Sequence, residues 1–174
     1  MAVEMDILNL IVLILLYVIP LYVANSIPVV VHGKTPLDLN KKLFGRFIFG
    51  RGKTIIGTLA GITSGTLVGA ITAVVFPYSL LLVPDYIELA FFLSLGAIIG
   101  DLLKSFFKRR FNINRGEKWV LADQLDFIVG GLLFSFIVRI PEPWVAVILF
   151  VATFFIHSGT NWAAYKLGLK KVPW

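Results

Sequence analysis

Three carboxylates and a dense group of cations sit at the ends of hydrophobic stretches in this chain. Within Gly100-Asp101-Leu102-Leu103-Lys104-Ser105-Phe106-Phe107-Lys108-Arg109-Arg110, the residues Asp101, Lys104, Ser105 and Lys108 fall at i, i+3, i+4 and i+7. A helix presents such a set along one face. Asp123 and Asp126 share a face at the start of the next apolar stretch. Ionisable groups at this depth cost free energy that a partner or ligand must offset, which makes them the leading site candidates. Oxygen donors without cysteine or a histidine cluster suit a hard ion such as Mg²⁺, bound through a few carboxylates and substrate phosphates. Nearby Lys and Arg would then hold phosphates. A competing structural reading pairs Asp101 with Lys104 or Lys108 and makes Asp123 a helix cap.

A second cluster, Gly50-Arg51-Gly52-Lys53-Thr54 with Gly57, invites comparison with a phosphate-binding P-loop. The spacing fails, because the motif's first glycine would have to occupy Phe47, and no strand precedes it. The local physics survives that failure. Glycine-rich backbone, Lys53, Thr54 and the positive end of a helix dipole form an anion site in any fold; the alternative is snorkelling of Arg51 and Lys53.

The elements that must carry these groups are membrane helices. Hydrophobic residues make up 58% of the 174 and charged residues 15%, and mean hydropathy is +0.89, too little polar surface to wrap a soluble globule. Cysteine is absent, excluding disulfides and thiolate chemistry. A hydrocarbon core of roughly 30 Å calls for about 20 helical residues. Five segments approach that length: Ile7 to Ile27, Ile55 to Phe76, Ile87 to Phe106, Ala122 to Ile140, and Trp144 to Tyr165. The first is read as a retained helix and not a signal peptide, since Glu4 and Asp6 precede it and a basic leader is missing. Pro141-Glu142-Pro143 should form a tight turn between the last two spans.

Fifteen of the sixteen basic residues lie in the first loop, around the third loop, or after the last span; Arg139 alone falls on the other side, with Glu4, Asp6, Asp85, Glu88 and Glu142. That bias places the N-terminus outside and the C-terminus in the cytoplasm, with basic cytoplasmic loops, in agreement with the parity of five spans. The sequence thus predicts an all-α integral membrane protein, a bundle of five transmembrane helices forming a single domain over residues 1–174. In the first loop, Leu39, Leu43, Phe44, Phe47 and Ile48 recur at helical spacing beside Lys41, Lys42 and Arg46, the pattern of a short interfacial helix. Gly57, Gly61, Gly65 and Gly69 form a small-residue stripe suited to close helix packing. His157, near Asn161, is read as an interhelical hydrogen-bonding group, and His32 as a possible substrate contact outside the core set.

The run at 100–109 with Asp123 and Asp126 resembles the signature of CTP-dependent phosphatidate cytidylyltransferases, and Lys53-Thr54 with Gly57 resembles that group's upstream Lys-Thr motif. Trp119-Val120-Leu121-Ala122 and Gln124 depart from the bacterial pattern. Those departures, with Ala24-Asn25-Ser26-Ile27-Pro28 and Thr35-Pro36-Leu37-Asp38, resemble the archaeal branch, the CDP-archaeol synthase family, over nearly the whole chain. The resemblance implies a membrane-embedded, Mg²⁺-dependent cytidylyltransferase acting at the cytoplasmic face of the cell membrane. Its partners would be CTP, a prenylated glycerol-phosphate lipid and the bilayer, with no nucleic acid. It implies that Asp101, Asp123 and Asp126 hold the metal and, with Lys104, carry catalysis. Asn25, Lys53, Thr54, Gly57, Ser105, Lys108 and Arg109 would bind substrate.

Such chemistry needs few other groups. A phosphate monoester has a second pKa near about 6, so its oxygen is largely a nucleophile at neutral pH without a deprotonating histidine. The barrier lies in joining two polyanions and stabilising charge on the phosphoryl group, a task for fixed cations. Two rival classes fit less well. A membrane prenyltransferase would use paired Asp motifs on a diphosphate, but a second pair and further spans are missing. A cation-coupled transporter would place carboxylates midway through the membrane, whereas these cluster at one face.

Overall fold

The computed structural model describes residues 6–31, 33–113, 117, 119 and 121–168, excepting the side chains at 157, 158, 160, 161, 163 and 164. Among these residues, six helices and one hairpin follow in order: α1 (Ile7–Val30), β1 (Lys42–Leu43), β2 (Arg46–Phe47), α2 (Ile55–Val75), α3 (Tyr78–Leu82), α4 (Tyr86–Arg110), α5 (Ala122–Ser135) and α6 (Pro143–Lys166). Helices α1, α2 and α4 are long and apolar enough to cross a membrane. Their outward surfaces keep large apolar side chains exposed, among them Ile11, Leu67, Val74 and Leu103, the arrangement that lipid rather than water would solvate.

Local signals set the helix ends. Asp6 caps α1, its Oδ1 accepting from the Asn9 N–H at 2.8 Å. Thr54 caps α2, its Oγ1 accepting from the N–H groups of Gly57 and Gly33, each at 3.1 Å; both supply partners that a helix start otherwise lacks. Asn112, with φ of 64°, stops α4 in the left-handed region.

The glycine stripe packs as expected. Gly57, Gly61, Gly65 and Gly69 are all buried on α2, and a Cβ at Gly61 would lie 2.7 Å from the Ala24 carbonyl oxygen of α1. The contact of α4 with α5 is closer still. A Cβ on Gly100 would meet the backbone of Asp126, and one on Gly130 the backbone of Gly96, so the two helices touch main chain to main chain. Around these contacts, Leu16, Tyr17 and Leu21 of α1 pack with Leu89 and Leu93 of α4, Phe127 and Ile128 of α5, and Leu149 of α6 in one buried core.

Three expectations need correction. The first loop holds no interfacial helix: Lys42 pairs with Phe47 and Leu43 with Arg46 in a short antiparallel hairpin within an otherwise helical fold. Phe44 and Gly45 turn it with φ of 52° and 76°, and Leu39 and Asn40 also lie at φ of 49° and 60°. Positive φ at two successive turn residues makes the type I′ connection that hairpins favour and that no right-handed helix admits. The fourth apolar segment is helical to Ser135 rather than Ile140; its end tightens, with Val138 and Arg139 N–H groups donating to the Ser135 carbonyl at 3.0 and 2.8 Å. Proline at 141 disfavours helical geometry in the residue before it. Finally, the second loop contains a short helix, α3, that the sequence reading did not anticipate.

Candidate active site

Lysine 104 stands at the centre of the charged cluster. Its Nζ lies 3.0 Å from Asp101 Oδ1, 2.8 Å from Asp126 Oδ2 and 3.6 Å from Asp123 Oδ1. Lys53, arriving from the segment before α2, pairs with the other oxygen of Asp101. Lys108 Nζ lies 3.0 Å from both oxygens of Asp123 and donates to the Glu117 carbonyl at 2.6 Å. Cations and carboxylates therefore alternate from Lys53 to Lys108. The close approach of α4 to α5 at Gly100 and Gly130 is what brings them together, because a side chain at either position would push Asp101 and Lys104 away from Asp123 and Asp126.

Three concavities meet around this cluster. A polar cavity of about 280 Å³ has Asn25, Lys53, Thr54, Asp101, Lys104, Asp123 and Asp126 in its wall. A second, of about 520 Å³, is bounded by Phe47, Phe49, Gly50, Arg51, Ser105 and Arg109 and shares Gly52 and Lys53 with the first. An apolar groove of about 380 Å³ runs between α4 and α5 over Leu103, Phe107, Leu125, Val129 and Leu133, with Lys104 and Asp126 at its edge. Lys104 and Asp126 thus have a polar chamber on one side and an apolar trough on the other.

A family model described as CarS-like, CDP-archaeol synthase, matches residues 7–174. The chain belongs to the CDP-archaeol synthase family. A CDP-archaeol synthase of Methanocaldococcus jannaschii is 44% identical over 167 residues, spanning 91% of this chain and 94% of that relative. One from Pyrococcus horikoshii is 45% identical over 159 residues, spanning 91% and 94%. A solved structure described as an intramembrane enzyme for archaeal membrane lipids biosynthesis superposes with a TM-score of 0.73 at 38% identity, covering 84% of this chain and 91% of that one. As a CDP-archaeol synthase family member the chain is a membrane transferase of lipid biosynthesis, and the prenyltransferase and transporter readings fall away.

The structure distributes the residues singled out from sequence unequally. Asn25, Lys53, Thr54, Gly57, Asp101, Lys104, Asp123 and Asp126 meet at the polar cavity. Ser105 and Arg109 face the second cavity instead, and the Ser105 hydroxyl donates to the Asp101 backbone carbonyl at 2.9 Å. Lys108 lines neither; it braces Asp123 and the segment before α5. The competing structural reading holds in part, since Asp101 does pair with Lys104. Asp123, by contrast, sits inside the first turn of α5 and reaches back to the Trp119 N–H at 2.8 Å instead of occupying the cap position. His32, Arg115, Lys118, Lys170 and Lys171 lie outside the described residues, as do the side chains of His157 and Asn161.

Sequence reasoning missed the second cavity's aromatic wall, Phe47 and Phe49: it assigned Phe47 to a helix and did not single out Phe49. It also passed over Gly130-Gly131, although paired glycines in an apolar helix signal a close neighbour.

In donor type the cluster fits a hard divalent ion, for three carboxylates converge on one cationic position. Among the described residues no three acidic or histidine groups enclose an ion as they stand; the Lys104 ammonium holds that position.

Proposed function

We propose that this chain transfers a cytidylyl group from CTP to the phosphate of 2,3-di-O-geranylgeranylglyceryl phosphate, giving CDP-archaeol and pyrophosphate. The observation that carries this reading is the place of Lys104 and Asp126, between a polar chamber and an apolar groove. A reaction joining a water-soluble nucleotide to a lipid phosphate needs that boundary, because neither substrate then has to leave its own solvent.

In this reading an oxygen of the lipid phosphate forms a bond to the α-phosphorus of CTP. The bond from that phosphorus to the oxygen bridging to the β-phosphate breaks, and pyrophosphate leaves with the electron pair. The nucleophile is already anionic, so a general base is not required. Lys53 and Lys104 stabilise negative charge on the phosphoryl oxygens as it develops. Asp101, Asp123 and Asp126 would hold Mg²⁺, with Lys104 turning from the carboxylates towards phosphate. Bound there, the ion would neutralise the triphosphate and the leaving pyrophosphate. Arg109 and Arg51, on the second cavity, supply further positive charge for the nucleotide.

We also infer a multi-pass arrangement in the cell membrane in which α1, α2, α4, α5 and α6 cross, the N-terminus lies outside, and the site opens to the cytoplasm. The distribution of basic residues supports that orientation. With 14 residues, α5 spans only about 21 Å, so its crossing is completed by the turn that follows it.

The decisive experiment is a product assay in detergent with labelled CTP, Mg²⁺ and either ether-linked prenylated or ester-linked lipid phosphate. Cytidine should enter the lipid fraction, dependent on Mg²⁺, with pyrophosphate released in equal amount. Turnover of CTP without a cytidylated lipid would overturn the reading.

A further inference from the structure

Asp38 carries the inference: a carboxylate 6% exposed that, among the described residues, forms no ion pair and lines neither polar cavity. Its partners are backbone N–H groups. Oδ1 accepts from Asn40 at 3.0 Å, and Oδ2 accepts from both Phe49 and Gly50 at 3.0 Å. Asp38 therefore ties the start of the first loop to a point eleven and twelve residues later, across the hairpin. Burial alone would push its pKa up, but these N–H bonds outweigh that and hold the carboxyl below its ordinary range.

The tie ends where the cavity wall begins. Gly50, Arg51, Gly52 and Lys53 bound the second cavity, and Gly52 and Lys53 continue into the first. Their other end is fixed by backbone pairing: the Leu37 N–H donates to the Lys53 carbonyl at 2.7 Å and the Ile55 N–H to the Thr35 carbonyl at 3.1 Å. Asp38 holds the near end and the backbone pairing at 35–37 the far end, so the segment that delivers Lys53 to Asp101 has both ends fixed. Strain marks the same place. Leu39 and Phe44 are bulky residues at φ of 49° and 52°, conformations that persist only where surrounding contacts impose them.

We propose that Asp38 is a positioning residue for the nucleotide, setting CTP affinity by fixing the Gly50–Lys53 wall without touching the substrate. This rests on reading the two polar cavities as the CTP site. A residue with this role controls nucleotide binding separately from the lipid phosphate, whose apolar groove lies between α4 and α5 and shares none of the loop.

The test uses the full chain in detergent, comparing wild type with Asp38→Ala, Asp38→Asn and Gly50→Ala. Asparagine keeps one acceptor oxygen, enough for the Phe49 and Gly50 N–H groups, and so should rescue part of what alanine loses. Gly50→Ala disturbs the same wall from the other partner. The apparent KM for CTP should rise about tenfold in Asp38→Ala, equivalent to about 1.4 kcal/mol, less in Asp38→Asn, and comparably in Gly50→Ala. The KM for lipid phosphate should move less than twofold, and kcat at saturating CTP less than threefold. CTP binding by calorimetry should follow the same order. An unchanged KM for CTP overturns the inference, and so does a parallel worsening of both KM values, kcat and Tm, the pattern of general destabilisation. Should Asp38→Ala not fold, Asp38→Asn and Gly50→Ala decide by the same criteria. A wild-type protein that fails to bind CTP at all would instead sink the reading of the site, an outcome distinct from variants that bind as tightly as wild type.

Discussion

Replacing Gly100 with alanine tests whether the contact between α4 and α5 is what assembles the carboxylates. The added Cβ would lie 3.0 Å from the Asp126 carbonyl carbon and 3.2 Å from the Gly130 Cα, with the Asp126 carbonyl oxygen nearer still. Carbon atoms pack favourably at about 3.5–4.0 Å, and the obstructing atoms are backbone, so the helices must separate by roughly 0.5–1 Å. The 2.8 Å Lys104–Asp126 and 3.6 Å Lys104–Asp123 contacts span that interface and open with it. Overpacking of this kind costs about 1–3 kcal/mol of stability, each kcal/mol lowering Tm by roughly 2–4 °C in a chain of this size. The effect on rate is larger, because a misplacement near 1 Å at a reacting centre costs on the order of 100-fold. Cytidine incorporation from labelled CTP should therefore fall by one to two orders of magnitude while the protein still purifies as a folded species. Full turnover by Gly100→Ala would refute the claim that this glycine positions the acidic set.

Three further outcomes follow from the same geometry. Asp126→Asn should remove most activity, as should chelation of divalent ions, while leaving Tm within a few degrees; full turnover in the purified variant would exclude a metal role for that carboxylate. Lys53→Ala should raise the apparent requirement for CTP, read from initial rates, because it empties the cation shared by both polar cavities. The Asp38 carboxyl is held low, so its contribution is complete above the ordinary carboxylate range near about 3.9 and is lost only as pH falls through the lower, folded-state value. Protease cleavage within the first loop should thus stay constant from neutral pH down to about 4 and rise below it, whereas Asp38→Ala should be cleaved readily throughout; an equal response in both would remove the carboxylate from the account.

Much of the site was legible before any coordinates, and the reason is cost. Asp101, Asp123 and Asp126 stand out because a carboxylate beside apolar helix is expensive enough to need a purpose, and Lys53 stands out because glycines and a helix start surround it. The first loop was misread because Leu39, Leu43 and Phe47 fit helical spacing, a short-range pattern that cannot register Asp38 bonding to Phe49 and Gly50 across the hairpin. Those bonds hold Leu39 and Phe44 in left-handed backbone that their own preferences resist.

Composition and charge placement by themselves determined the membrane setting, the long apolar segments and the identities of the acidic residues, since these follow from transfer free energies read residue by residue. Which groups meet was decided by the tertiary structure alone. Gly100 and Gly130 allow two backbones into contact, and only at that separation do three carboxylates reach one lysine ammonium. Distances between helices depend on how facing surfaces interlock, and a linear pattern of residues does not contain that information.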